Sequence, residues 1–184
     1  MDLNKKLSKH FKLKEMLRSQ TATRLNIKNI PEDGNIDKLE LLCKNILEPI
    51  RAYCRYSINK GAIVQITSGY RCPELNKSIG GAKESQHMLG EAADFVITGV
   101  DEHELWRWIT LYSGLDYDKI VMEFPDSELN IPWIHISYRR DEPNRNINLI
   151  ALKDFNNKTI YKSYSENQIK NMVYIKDIKE SYHD

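Results

Sequence analysis

Apolar residues recur at helical spacing in IDKLELLCKNILEPIRAYC (residues 36–54), where Leu39, Leu42, Ile46, Leu47 and Ile50 share one face. The pattern predicts an amphipathic helix, opened by a capping box between Asp37 and Glu40 and bent near Pro49. Residues 62–67 (AIVQIT) are β-branched and partly alternating, as a strand should be, and run into the turn-like SGYRCPELN. Residues 92–97 (AADFVI) predict a second strand. From about 101 to 113, Leu105, Trp108, Ile109 and Tyr112 form an apolar stripe behind an Asp101/Glu104 cap, predicting a helix that stops at Gly114. KIVMEF (119–124) and WIHISY (133–138) read as short strands of a hairpin, because the prolines and asparagine of PDSELNIP forbid regular structure between them. Beyond 140 the chain turns polar. LIAL and TIYKSY predict an edge hairpin around Asn156 and Asn157, and residues 165–180 a terminal helix.

These elements predict an α+β protein with a small central antiparallel sheet flanked by helices. With 184 residues there is enough chain for one core, so residues 1–150 are expected to form the working domain and 151–184 a carboxy-terminal extension. Lys and Arg number 27 against 26 Asp and Glu, which leaves no whole-molecule field to attract nucleic acid or anionic lipid. No nucleic-acid or membrane partner is expected, and nothing in the pattern demands an oligomer, so a monomer is favoured. Cys43, Cys54 and Cys72 match neither a disulfide framework nor a Cys-x-x-Cys clip and read as reduced thiols. The start, MDLNKKLSKHFKLKEML, lacks the apolar stretch of a signal peptide, which predicts synthesis in the cytoplasm without one.

The chemistry concentrates where six of the eight glycines fall, between Gly61 and Gly99. In SQHMLGEAADF, His87 and Asp94 are seven residues apart, a spacing that does not suit one helix face. A loop ending at Gly90 can instead fold His87 back onto an aspartate at the start of a strand. His135 alternates with Trp133 and Ser137 on one face of WIHIS and is the best candidate for a third ligand. Two histidines and one carboxylate leave zinc an open position, which is the requirement of a catalytic rather than a structural site. Glu123, a carboxylate in an otherwise apolar strand predicted to pair with that of His135, is the candidate general base. Each residue also fits a plainer role: His135 as a core histidine, Asp94 as a loop cap, Glu123 as a solvent-facing edge carboxylate.

ITSGYRCPELNKSIGGAKESQHMLGEAADF, followed by KIVMEF and WIHIS, resembles the zinc D-Ala-D-Ala carboxypeptidases and the related phage endopeptidases that share a fold with the hedgehog signalling domain. Upstream, LSKHFKLKEMLRSQTATRLNI, IKNIP and ILEPIR look like the amino-terminal part of the phage-encoded members, so the resemblance covers roughly residues 7–150. It implies that His87, Asp94 and His135 bind one zinc ion, that Arg71 binds a peptide carbonyl or terminal carboxylate, and that Ser85 and Gln86 shape the pocket. Several relatives carry their catalytic glutamate three residues before the last histidine, where this chain has Pro132; Glu123 matches the phage-type pattern of an apolar strand ending in Glu-Phe.

The expected function is hydrolysis of an amide bond in the peptide stem of peptidoglycan, by carboxypeptidase or endopeptidase action. A second expectation, of a different class, is a zinc-stabilised module that binds cell wall or serves in a virion without catalysis. An enzyme that acts on the wall yet has no signal peptide would need a holin, host lysis or a virion to deliver it.

Overall fold

A computed structural model describes residues 1–125 and 133–171. The connection that contains Pro132 and the part of the expected terminal helix beyond residue 171, with His183, lie outside the described residues.

Six strands form one mixed sheet in the order β1-β2-β4-β3-β5-β6, with β1 Val64–Ser68, β2 Ala92–Ile97, β3 Lys119–Glu123, β4 Trp133–Ser137, β5 Ile147–Lys153 and β6 Thr159–Ser163. The α+β class holds, and four of the five pairings are antiparallel. The fifth, β3 with β5, is parallel, because the chain leaves β4 and crosses back before forming the expected edge hairpin. Residue 150 therefore lies inside β5, and the extension after it begins within the sheet.

Side chains alternate between the faces of a strand, and the register aligns that alternation across the sheet. One face presents Phe95, Ile97, Ile134, Ile136, Ile120, Met122, Ile150 and Leu152, all buried in the core. The other presents Asp94, His135, Val121, Glu123, Leu149 and Tyr161. Helices cover the first face. α3 (Asp33–Leu42) runs through a π turn at Cys43–Leu47 into α4 (Glu48–Tyr53), burying Leu39, Leu42, Ile46, Leu47 and Ile50, the stripe read from the sequence. The π turn immediately precedes Pro49, which has no N–H to continue the α ladder, so the irregularity expected there takes this form.

Asp37 and Glu40 do not cap this helix. Its N-cap is Glu32, in a reciprocal box with Asn35, because Ile36 already packs in the core and draws the helix start upstream. Glu40 instead pairs with Lys5 at 2.9 Å and Lys44 at 3.2 Å. In α6 (Glu102–Leu111) the Asp101 carboxylate does accept the Glu104 N–H, and Trp106 is fully buried while Trp108 stacks on Tyr53. The short helices α1 (Leu13–Leu17), α2 (Gln20–Leu25), α5 (Pro73–Ser78) and α7 (Glu166–Asn171) complete the described elements, with a second π turn at Cys54–Ile58 after α4 and a 3-10 turn at Gln86–Leu89. All three cysteines are free and buried. Among the described residues no helix is long and apolar enough to cross a membrane.

Candidate metal centre and cleft

The His87 side chain reaches the sheet because the chain around it is closely held. Gly90 closes the 3-10 turn with φ +74°, where a Cβ would lie 2.4 Å from the Asn35 carbonyl oxygen. Gly69 sits equally tightly against α1, its Cβ position 2.4 Å from the Met16 carbonyl oxygen, and its own carbonyl accepts a hydrogen bond from His87 Nδ1 at 2.7 Å. That bond fixes the tautomer and leaves the Nε2 lone pair facing the sheet. Gly69→Ala is therefore expected to destabilise the protein by about 1–3 kcal/mol through overpacking against main chain, read as a lowered midpoint of thermal unfolding.

Asp94 and His135 face each other as a direct cross-strand pair of β2 and β4. His135 Nδ1 lies 2.8 Å from Asp94 Oδ1, His87 Nε2 lies 3.2 Å from the same oxygen, and the two ring nitrogens are 3.3 Å apart. Four tetrahedral ligands with zinc bonds of the usual length stand roughly 3.3 Å from one another, so this triangle fits one face of such a site. The donor set fits as well: with His87 Nδ1–H committed to Gly69, the inward atoms are lone pairs and a carboxylate oxygen, a grouping that a cation relieves. Burial alone would raise the Asp94 carboxyl, but the electrostatic influence of the adjoining His87 and His135 rings outweighs it and holds the acid well below the ordinary carboxylate range. This trio is the group of possible metal ligands found among the described residues.

Arg71 braces the far side of Asp94. One terminal nitrogen donates to Asp94 Oδ2 at 2.6 Å and Nε donates to Ser68 Oγ at 2.8 Å, leaving Nη1 without a protein partner among the described residues. A β-bulge makes this possible: β1 pairs Ile66 with Phe95 but Ser68 with Asp94, so the extra residue Thr67 turns Ser68 onto the face of the site. Asn29 ties down the same loop, donating to the Leu17 and Tyr70 carbonyls and accepting the Cys72 N–H.

Glu123 stands two residues along β3 from Val121, the partner of His135, and lines the same cleft of about 540 Å³ as the three candidate ligands. Burial pushes its carboxyl up to about 7, against the opposing attraction of His135. Residue Phe124 follows it in the left-handed region at φ 52°, its ring 5.4 Å from that of Trp133 and 4.9 Å below the Lys153 ammonium. This turn ends the strand immediately after the acid.

Ser85 and Gln86 line the cleft as well, and Gln86 Nε2 donates to Asp118 Oδ2 at 3.1 Å. Asp118 belongs to no motif visible in the sequence. It is fully buried and gripped by Arg145, whose Nε and Nη2 lie 2.7 and 2.8 Å from its two oxygens. An acid just before an apolar strand carries no one-dimensional sign that an arginine 27 residues on will neutralise it. Tyr161 and Leu149, from the carboxy-terminal hairpin, also line the cleft and likewise gave no sequence signal of a role there.

A search of curated proteins returned no match to this chain. A family model described as Peptidase M15 matches residues 9–122, a span that contains Arg71, His87 and Asp94 and stops one residue short of Glu123. That match covers more than half of the sequence, and the chain thus belongs to the peptidase M15 family, whose members are zinc-dependent metallopeptidases.

Proposed function

We propose that this protein hydrolyses amide bonds in the peptide stem of bacterial peptidoglycan, with one zinc ion held by His87, Asp94 and His135. The observation that carries this reading is the triangle of three ligand atoms opening into a cleft that also contains a half-buried glutamate with no ion pair or hydrogen bond to its side chain among the described residues. When bound, zinc supplies Lewis acidity towards a carbonyl oxygen and lowers the pKa of water.

The protein's own groups divide the remaining work. Glu123, ionised, accepts the proton of the attacking water and returns it to the departing amine. Arg71 Nη1, oriented by Ser68 and Asp94, donates to the substrate carbonyl oxygen as negative charge grows there. Asp118 holds Gln86, and with it the entrance of the cleft beside His87. Residues 1–150 supply these groups, and the extension contributes Tyr161 to the side of the cleft. Delivery by a phage holin, host lysis or a virion suits an enzyme of this kind, acting as a monomer on the wall.

Digestion of isolated peptidoglycan by the zinc-loaded protein, with new amino or carboxyl termini located by mass spectrometry, tests the proposal. Release of stem fragments is expected. Absence of release from walls of every stem type would count against catalysis and favour a wall-binding module.

A further inference from the structure

The cleft contains a second cation that the proposed chemistry does not use. Lys119 lies on the same face of β3 as Val121 and Glu123 and lines the cleft together with Gln86 and His87. It is half-buried, and it forms no ion pair or side-chain hydrogen bond among the described residues. Arg71, in contrast, has two of its three nitrogens occupied by Ser68 and Asp94. Glu84 also lines the cleft but is exposed and forms no ion pair with Lys119. A half-buried ammonium facing a cleft, with no ion-paired acid among the described residues, is a site for an anion brought in by the ligand.

Its position defines what that anion is attached to. Val121 pairs with His135, so Glu123 and Lys119 stand on opposite sides of the metal-ligand cluster, each two residues from that point. At the rise of an extended strand each step is roughly 7 Å, which a lysine side chain spans. The geometry points to Lys119 as the specificity-determining residue for a substrate carboxylate lying within a residue or two of the scissile bond, on the side away from Glu123. This rests on the peptidase reading of the cleft. Such a carboxylate belongs either to the peptide's terminus or to an acidic residue inside the stem.

Two pairs of synthetic peptides separate these sources. One pair is acetyl-L-Lys-D-Ala-D-Ala and its carboxy-terminal amide; the other is the tripeptide amide L-Ala-γ-D-Glu-L-Lys with the glutamate α-carboxyl free or amidated. Binding is measured by calorimetry to the zinc-loaded full chain carrying Glu123→Gln, with and without Lys119→Met, which keeps the apolar stem and removes the charge. In one pair the acid is expected to bind about five-fold or more tighter than its amide, with that ratio falling below about two-fold in Lys119→Met and returning in Lys119→Arg. The pair that responds identifies the source of the carboxylate. Persistence of the preference in Lys119→Met, or no acid preference in either pair, would overturn the assignment. Failure of the peptidase reading shows separately, as wild-type protein that leaves isolated walls intact, because the binding comparison requires no turnover.

Discussion

His87→Ala should reduce bound zinc from one per chain to a small fraction and lower wall hydrolysis about 10³-fold or more. The residue supplies one corner of the triangle, and the other two ligand atoms, 2.8 Å apart on neighbouring strands, cannot enclose an ion alone. Metal analysis after gel filtration and a fragment-release assay read the two effects. His87 also donates to the Gly69 carbonyl, so a loss of folding must be distinguished from a loss of metal. His135→Ala makes that distinction, since it removes a ligand from a different element while leaving the His87–Gly69 bond in place. Zinc added to wild-type protein should raise its thermal midpoint by mass action, and neither variant should respond. Wild-type-like zinc content in His87→Ala would refute the ligand assignment.

Glu123→Gln separates metal binding from proton transfer. Zinc should remain, because the glutamate is not a corner of the triangle, while the rate constant falls about 10²–10⁴-fold, the usual contribution of a positioned general base. The ionised acid is the base, so wild-type activity must fall as pH drops through its pKa. That limb should lie below the value of about 7 found without metal, because a nearby cation favours the carboxylate. The residual activity of the glutamine variant should lack it. The same acid predicts an effect on stability of the metal-free protein. Its folded pKa is raised from the ordinary 4.5 to about 7, so the stability it contributes is complete below about 4.5 and is lost as pH rises through 7. Metal-free Glu123→Gln should match wild type at pH 4 and exceed it at pH 8, by about 1–3 kcal/mol. Equal pH profiles for the two proteins, in activity and in unfolding, would remove Glu123 from the mechanism.

The sequence was most legible where one local pattern and one burial pattern coincide. β2 begins and ends where AADFVI does, and KIVMEF and WIHISY each lose one residue as they become β3 and β4, whose antiparallel register sets Glu123 opposite Trp133. Helix α3 starts upstream of the expected cap, because Asp37 and Glu40 have the chemistry of a cap and only the burial of Ile36 shows that the helix is already under way. SGYRCPELN has the composition of a turn, yet Pro73 at a first helical position marks the entry to α5. The triad residues stood out because His87 and Asp94 share one short segment, whereas the residues that orient them are scattered. Ser68 depends on a bulge, Asn29 on a fold-back of the amino-terminal segment, and Asp118 on an arginine two strands away. Parallel pairing of β5 with β3 is equally invisible locally, because a strand's own alternation does not say which neighbour it joins or in which direction.

The division of the sheet into a packed face and a chemical face has an evolutionary consequence. Ile120, Met122, Ile134, Ile136 and Ile150 pack in the core, whereas Val121, His135 and Leu149 between them line the cleft. The two sets interleave along the same strands and point to opposite faces of the sheet. Substitutions at Leu149 or Tyr161 can therefore redraw substrate preference at little thermodynamic risk, so that new selectivities remain within reach of single mutations while the hydrolytic centre is inherited unchanged.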